Sequence, residues 1–378
     1  MSFTPRLRKP WQNLIAQRRT DTRVQSTMTA KPPNKVTFAD LTQAVYSFEA
    51  LLKDMRLKVP PNSPLEAAAL AIEELRAVYE RQMAHHHQED YRARWRRALS
   101  LGDLALRLLE VSTHPDFSKL AGHLQLLVGE QDLAQYAVTP HENTDNDKVF
   151  ELWASAALLR VTTDCLVDDP IHSKGDNPDF IGTWHGKRWG FAFKAPHSDH
   201  PEALIKNIRK GVQQINDSAA EAGIVILSGK NFFPHDEAWP ITRDVTGDVI
   251  YGVVPDMAQV EAAVRRTSGY YNCRMCYHAS GGDVENPGQP TQADLDRGRA
   301  VFWSSLGHKK PEQLVLTIWP TLIGVAVPET GEQALSTIKS VTGFEGDSIS
   351  NECRDLSKEF SLALHGRDPL QPEPPLGG

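Results

Sequence analysis

The sequence has little of what marks disulfide frameworks, membrane proteins and the common nucleotide-binding enzymes. Four cysteines in 378 residues are too few for a disulfide framework, so we expect a reducing compartment, the cytoplasm. No apolar run approaches the length of a membrane span, and no apolar stretch follows the N-terminal charges as in a secretory signal. We find no P-loop, no dinucleotide fingerprint and no Gly-x-Ser-x-Gly elbow. We therefore expect a protein with no membrane partner, whose chemistry depends on a less conspicuous motif.

The chain also lacks net positive charge, except at the N-terminus. The net charge of the chain is -7, which argues against a protein that binds nucleic acid over its whole surface. Residues 1–35 nevertheless hold eight Lys and Arg against one acid and read as a flexible basic arm. Such an arm can hold phosphates without reading sequence, and a solvated tail without a ligand fits the same composition.

The pattern of apolar residues divides the rest of the chain into two predicted domains. Helical spacing dominates residues 36–140, which we interpret as an all-helical domain. A polar linker follows, and residues 147–365 then show the order helix, strand, hairpin, helix, strand. That order predicts an α/β fold with a mixed central sheet flanked by helices. Residues 366–378 form a Pro/Gly-rich tail.

Several elements and motifs outside the centre of this pattern carry weaker expectations. Separate strands are predicted at Leu314–Trp319 and Leu322–Val327, and a helix at Met257–Arg266. Cys273 and Cys276 form a single CxxC pair, for which we favour unliganded thiols because structural zinc needs four ligands. Four arginines surround Trp95 in the helical domain, where a solvated helix face competes with a nucleic-acid face: Arg92, Arg94, Arg96 and Arg97.

The most informative stretch pairs an aspartate with a lysine across the predicted hairpin. Asp179 begins the first strand, and Lys194 lies near the end of the second strand among apolar residues. Burying a lysine ammonium is costly unless an anion accepts it, so the two residues are expected to face the same side of the sheet. Phosphodiester hydrolysis uses such a pair, with the carboxylate on a divalent ion and the lysine near the attacking water.

With these residues in place, the stretch from about 147 to 230 resembles the PD-(D/E)xK superfamily of restriction-endonuclease-like nucleases. Pro178-Asp179 resembles the first motif element and Lys194 the motif lysine. Glu151, on the preceding helix, is similar to the helical glutamate of the family. Gln213 or Gln214, on the following helix, resembles the family's glutamine.

One position departs from the motif, because Ala192 stands where the second acid is expected. Glu151 can complete the site if the carboxylate has migrated to the helix, as the family tolerates. A substitution made to trap substrate and a natural domain that binds nucleic acid without cutting it are the alternatives.

The resemblance implies a nuclease dependent on Mg²⁺ or Mn²⁺, with DNA a more expected substrate than RNA. Asp179, Lys194 and Glu151 would be catalytic, and the metal ligands would be Asp179, Glu151 and the Phe193 carbonyl. Gln213, Gln214, Lys206 and Lys210 would contact the substrate, the two lysines through its phosphates. The family also implies a role in restriction or anti-phage defence, as a homodimer or with a partner protein of a defence complex.

Overall fold

The protein forms a layered α/β structure preceded by helices. A computed structural model describes the following ranges: 38–79, 92–129, 147–173, 175–235, 242–243, 249–250, 257–285, 290–327 and 332–365. The predicted basic arm, the linker ahead of residue 147 and the C-terminal tail lie outside these ranges.

Helices account for the first part of the described chain, as their spacing predicts. They are α1 (Phe38–Asp54), α2 (Pro64–Tyr79), α3 (Arg92–Val111), a 3₁₀ turn (Phe117–Leu120) and α4 (Ala121–Val128). Pro64 begins α2, where its missing N–H leaves no hydrogen bond unmade. The Ser63 hydroxyl accepts a hydrogen bond from the amide of Glu66, and the Glu66 carboxylate accepts one from the amide of Asn62. These bonds fix where α2 starts.

A mixed six-stranded sheet forms the centre of the molecule, and its class matches the prediction. Its strands, in spatial order, are β1 (Thr163–Val167), β2 (Phe180–Trp184), β3 (Lys187–Lys194), β4 (Ala222–Ser228), β7 (Leu314–Val327) and β8 (Glu332–Glu345). β3, β4 and β7 run parallel, whereas β1–β2, β2–β3 and β7–β8 are antiparallel pairs. His185 and Gly186 join β2 to β3 with φ of 49° and 79°, the backbone of a tight hairpin turn. β5 (Thr242–Arg243) and β6 (Val249–Ile250) pair separately.

Helices cover both faces of this sheet. They are α5 (Asp147–Leu159), α6 (Pro201–Asp217), α7 (Met257–Ala279), α8 (Gln292–Ser305) and α9 (Asn351–Leu364). Phe191 and Phe193 of β3 face a core shared with α5 and α9. Ala192 faces the opposite core, which α6, α7 and α8 complete. Successive residues of β3 thus belong to different layers, as strand alternation requires.

The first core also includes α1 to α4, so the helices before residue 129 pack into the same apolar cluster as one face of the sheet. Phe48 and Leu52 of α1 and Leu108 of α3 are fully buried in this cluster. The two regions share one apolar core, and their division into a helical domain and an α/β domain stays a prediction. Among the described helices, none combines the length and apolar character that a bilayer crossing demands.

Two sequence interpretations were wrong in extent. A single strand runs through Pro320 where two strands were predicted, and β8 pairs with it along its whole length. The pairing of β7 with β4 ends at Ile318, so Pro320 follows the part of the strand that is enclosed on both sides. α7 continues past Arg266 to Ala279, because Tyr270, Tyr271 and later side chains pack into the second core.

Candidate functional site

The centre of the candidate site is Asp179, the residue immediately before β2. Its side chain is nearly buried, and its Oδ2 atom accepts a 2.6 Å hydrogen bond from the backbone amide of Phe193. Its own carbonyl accepts a hydrogen bond of 3.0 Å from the amide of Asp168, just beyond β1. Phe180 pairs with Phe191 in the antiparallel register, so Asp179 comes opposite Ala192 on the next strand. The hairpin thus fixes the carboxylate against the end of β3.

Lys194, the last residue of β3, lies beside this carboxylate, as the sequence predicts. Its Nζ atom is 3.4 Å from Oδ2 of Asp179 and donates a 2.7 Å hydrogen bond to the carbonyl of Phe193. Only a tenth of the Lys194 side chain is exposed. The ammonium therefore joins one carboxylate oxygen and one carbonyl oxygen in a largely desolvated position.

Burial dominates the protonation of this pair. It raises the pKa of Asp179, and the nearby charge of Glu151 raises it further, against the opposing charge of Lys194. Burial also lowers the pKa of Lys194, although the charges of Asp179 and Glu151 oppose that change. Both groups are shifted toward their neutral forms, because a contact of 3.4 Å does not fully compensate for lost water.

Glu151 reaches the same region from the helix α5 and is also nearly buried. Lys148, one turn earlier, donates to both of its carboxylate oxygens at 2.9 and 2.8 Å. His123 of α4 lies 3.3 Å away through Nε2. Glu151 lies close enough for its charge to raise the pKa of both Asp179 and Lys194.

The Glu151–Lys148 pair behaves in the opposite way from the pair of Asp179 and Lys194. Burial acts to raise the pKa of Glu151, but the hydrogen bond from His123 and the charge of Lys148 lower it below its ordinary value. Burial acts to lower the pKa of Lys148, but the charge of Glu151 raises it. Both partners are held in their charged forms, as expected for a well-paired ion pair.

Ala192, at the position of the missing motif acid, is fully enclosed. It faces α6 at Gly211, where an added Cβ would lie 3.3 Å from the Ala192 Cβ and 3.0 Å from Val225. The small residues at 192 and 211 thus let α6 approach the sheet closely.

The structure separates the two glutamines predicted to contact substrate. Gln214 is buried, and its Nε2 donates a 2.9 Å hydrogen bond to the carbonyl of Gly175, in the segment before Asp179. Gln213 is exposed and bonds to Asp217 along the helix surface. Gln214 therefore ties α6 to the segment that leads into the site, whereas Gln213 makes a local helix contact.

The two lysines predicted to contact phosphates are both exposed on α6. The charge of Lys210 acts on Lys194, so Lys210 borders the site. An added Cβ on Gly175 would lie 3.6 Å from Nζ of Lys210, which places this lysine over the segment before Asp179. Lys206 is exposed one turn earlier on the same helix.

Sequence reasoning missed two residues of this site, Lys148 and His123. Lys148 could have been found, because a lysine three residues before a glutamate on a helix lies beside it. His123 is 28 residues from Glu151, and the two meet only when α4 packs near α5.

A second polar cluster lies next to the first, and the sequence analysis missed its members Lys230 and Asp147. Lys230, nearly fully buried just after β4, lies 3.3 Å from Oδ1 of Asp147 at the start of α5. His197 lies 2.9 Å from the other oxygen of Asp147. Ends of parallel strands are common ligand-binding positions in α/β proteins, and this rule points to Lys230 from sequence. The cluster anchors the first turn of the helix that carries Glu151.

The donor set fits a hard cation only in part. Asp179 and the Phe193 carbonyl already contact one positive group, the Lys194 ammonium, and oxygen ligands suit Mg²⁺. The third predicted donor, Glu151, gives both oxygens to Lys148. Within the described ranges, no group of three or more His, Cys, Asp or Glu side chains is arranged to hold a metal ion. The candidate metal ligands are therefore limited to the carboxylates of Asp179 and Glu151 and the carbonyl of Phe193.

The remaining sequence candidates lie elsewhere. Cys273 and Cys276 are buried thiols on α7. Arg96, in the predicted basic face of α3, is buried, which contradicts a solvent-facing or nucleic-acid-facing role for this arginine. Arg96 lies close enough to buried His235, beyond β4, for its charge to lower the pKa of that histidine. The side chains of its neighbours Arg92, Arg94 and Arg97 lie outside the described part.

Comparison with known proteins adds no relative: no family model, no curated protein and no solved structure matches the chain.

Proposed function

We propose that this chain is a metal-dependent nuclease of the PD-(D/E)xK kind, which hydrolyses phosphodiester bonds in nucleic acid, DNA ahead of RNA. The observation that carries the proposal is the Lys194 ammonium held between Oδ2 of Asp179 and the Phe193 carbonyl. This arrangement supports a site in which a carboxylate oxygen and a carbonyl oxygen converge on the ammonium group of a lysine whose pKa is lowered by burial. Perturbed groups of this kind are concentrated at functional sites.

The order of elements supports the same proposal. A helix carries Glu151, an antiparallel hairpin carries Asp179 and Lys194, and a second helix carries Gln214 before the parallel strand β4. This is the order of the family motif, with Glu151 in place of the acid absent at Ala192. On this basis we also propose that the mixed α/β fold of this chain is the restriction-endonuclease-like fold.

In this function, Asp179, Glu151 and the Phe193 carbonyl would hold Mg²⁺ or Mn²⁺. The ion would supply Lewis-acid activation of water and stabilise charge on the phosphate oxygens. Lys194 would orient the attacking water and accept its proton, for which a lowered pKa is suited. Lys210 and Lys206 would hold the phosphate backbone electrostatically. Gln214 would keep the segment before Asp179 in place through its bond to Gly175.

A second function, a nuclease fold that binds nucleic acid or scaffolds a complex without cutting, is favoured by one observation. Glu151 and Asp179 are opposed by Lys148 and Lys194, so the two acids carry no excess negative charge to attract a divalent ion. On this proposal the same surface binds phosphates and position 192 never held an acid. In either form, a cytoplasmic role in restriction or anti-phage defence, as a homodimer or within a complex, remains part of the proposal.

Cleavage assays distinguish the two functions. Supercoiled plasmid and single-stranded RNA are incubated with the protein in the presence of Mg²⁺, Mn²⁺ or a chelator. The nuclease proposal expects metal-dependent cutting that Asp179→Ala and Lys194→Ala both abolish. Lys187→Ala, at the other end of β3 and partnered by Glu352, is the matched control and should cut normally. Equal activity in all four proteins would assign the cutting to a contaminant. Binding of DNA without cutting in either metal would favour the second function.

A further inference from the structure

Lys148 has no counterpart in the motif, and it makes the most complete ion pair of the site. Its Nζ atom contacts both oxygens of Glu151, at 2.9 and 2.8 Å. The charges of Asp179 and Asp168 also raise the pKa of Lys148, so both acids lie near it. A third of its side chain is exposed, whereas the side chain of Glu151 is nearly buried.

Two features follow from this position. First, a cation that is to use Glu151 must displace an ammonium that already occupies both carboxylate oxygens. Second, Lys148 and Lys194 together balance the charges of Glu151 and Asp179, so an added divalent ion leaves an excess of positive charge in a poorly solvated place. A phosphodiester anion removes that excess and offers the displaced ammonium a new partner, and the exposed stem of Lys148 allows it to move.

We propose that Lys148 is a positioning residue that makes divalent-ion binding at Glu151 and Asp179 depend on a bound phosphodiester. In the free protein Lys148 competes with the ion for Glu151. When a nucleic acid backbone is bound, Lys148 moves to a phosphate oxygen and frees the carboxylate. This inference rests on the proposed nuclease function, and it adds a coupling between ion and substrate that the motif itself does not specify.

The test uses Ca²⁺ as the probe ion and full-length protein. Ca²⁺ affinity is measured by calorimetric titration without DNA for wild type, Lys148→Met and Lys148→Gln. Lys358→Met, which removes an exposed lysine from α9, is the matched control. The same affinities are then measured in the presence of DNA, from the Ca²⁺ dependence of the anisotropy of a fluorescent duplex. Thermal unfolding of each variant checks that it is folded.

Without DNA, the two Lys148 variants should bind Ca²⁺ about fivefold or more tightly than wild type and Lys358→Met, within the usual range for coupled sites. Adding Glu151→Gln to Lys148→Met should remove this gain. With the duplex present, the difference between wild type and the Lys148 variants should disappear, because the phosphate then takes the ammonium.

Three results would overturn the inference, and they differ in what else they affect. Equal Ca²⁺ affinity of wild type and both Lys148 variants without DNA, with Glu151→Gln weakening all of them, would leave the ion site intact and Lys148 without a role. A difference that persists unchanged on DNA would show competition without coupling. Absence of Ca²⁺ binding in every protein, with and without DNA, would reject the proposed function together with the inference.

Discussion

The backbone amide of Phe193 donates a 2.6 Å hydrogen bond to Oδ2 of Asp179, which locks the carboxylate of one hairpin strand to the backbone of the other. Asp179→Ala would leave that buried amide and the Lys194 ammonium without this acceptor. Leaving a buried hydrogen-bond donor without its acceptor costs about 1–3 kcal/mol, so we expect a loss of that size in the free energy of unfolding. Urea unfolding at neutral pH measures it.

Asp179→Asn is the matched variant, because the amide oxygen can still accept the hydrogen bond from Phe193. We expect it to unfold close to wild type, within about 1 kcal/mol, and to lose metal-dependent cutting as fully as Asp179→Ala. A loss of stability in Asp179→Asn equal to that of the alanine variant would show that the charge, not the acceptor oxygen, holds the hairpin.

Gln214 and Gln213 are adjacent in sequence and differ in environment, so they form a matched pair. Gln214→Leu removes the bond to the Gly175 carbonyl and frees the segment before Asp179. We expect cleavage to fall by about 10- to 100-fold, as for residues that support a metal ligand from outside. Gln213→Leu changes only an exposed contact with Asp217 and should leave the rate unchanged. Equal effects of the two variants in the steady-state cleavage assay would contradict this assignment.

Restoring the motif acid with Ala192→Glu should not create a better enzyme. The position is fully buried and faces Gly211 across a close contact between α6 and β3. Overpacking of this kind costs about 1–3 kcal/mol, and a buried carboxylate adds to that cost. We expect a lower midpoint of thermal unfolding and cleavage no faster than wild type. A stable variant with increased cutting would show that position 192 can reach the site and that Glu151 is dispensable.

The sequence predicted the hairpin and its flanking helices because their signals are local. Alternating apolar residues lead to β3, the His185-Gly186 turn joins it to β2, and Pro201 begins α6. β8 was missed because Glu332–Glu345 mixes helix formers such as Ala334 and Leu335 with β-branched residues, and only its pairing with β7 makes it a strand.

The site was predictable only as far as its residues belong to those local signals. Asp179 and Lys194 follow from the hairpin pattern and Glu151 from the family resemblance, and the charge of Glu151 affects the pKa of both other residues. The pairing of Glu151 with Lys148 follows from helical spacing but was overlooked. Contacts of His123 and Lys230 join distant segments, and no local pattern carries that information.

A buried histidine beyond β4 sets an acid limit for stability. Burial, together with the charge of Arg96, lowers the pKa of His235 to about 3. The unfolded chain has the ordinary value of 6.5, so it binds a proton that the folded protein does not bind between these two values. The stability that depends on a neutral His235 is fully present above pH 6.5, and the free energy of unfolding decreases as pH falls from 6.5 toward 3.

His235→Gln removes this titration while keeping an amide that can donate to the Lys230 carbonyl, which His235 contacts at 2.8 Å. Between pH 7 and pH 4, wild type should lose about 3 kcal/mol more free energy of unfolding than the variant, at about 1.4 kcal/mol per pH unit. Urea unfolding across this range gives the difference. Parallel pH profiles for the two proteins would mean that His235 is protonated within the fold.

The most direct test concerns Glu151, which must replace the acid missing at Ala192 if the chain cuts nucleic acid. The measurement is the rate of Mg²⁺-dependent plasmid cleavage by Glu151→Gln and by Glu352→Gln. Glu352 is also a helical glutamate paired with a lysine, Lys187, but it lies away from Asp179. We expect Glu151→Gln to reduce the rate by about 100-fold or more, beyond the usual effect of residues behind the ligands, and Glu352→Gln to leave it unchanged. Cleavage by Glu151→Gln at the wild-type rate would contradict the assignment.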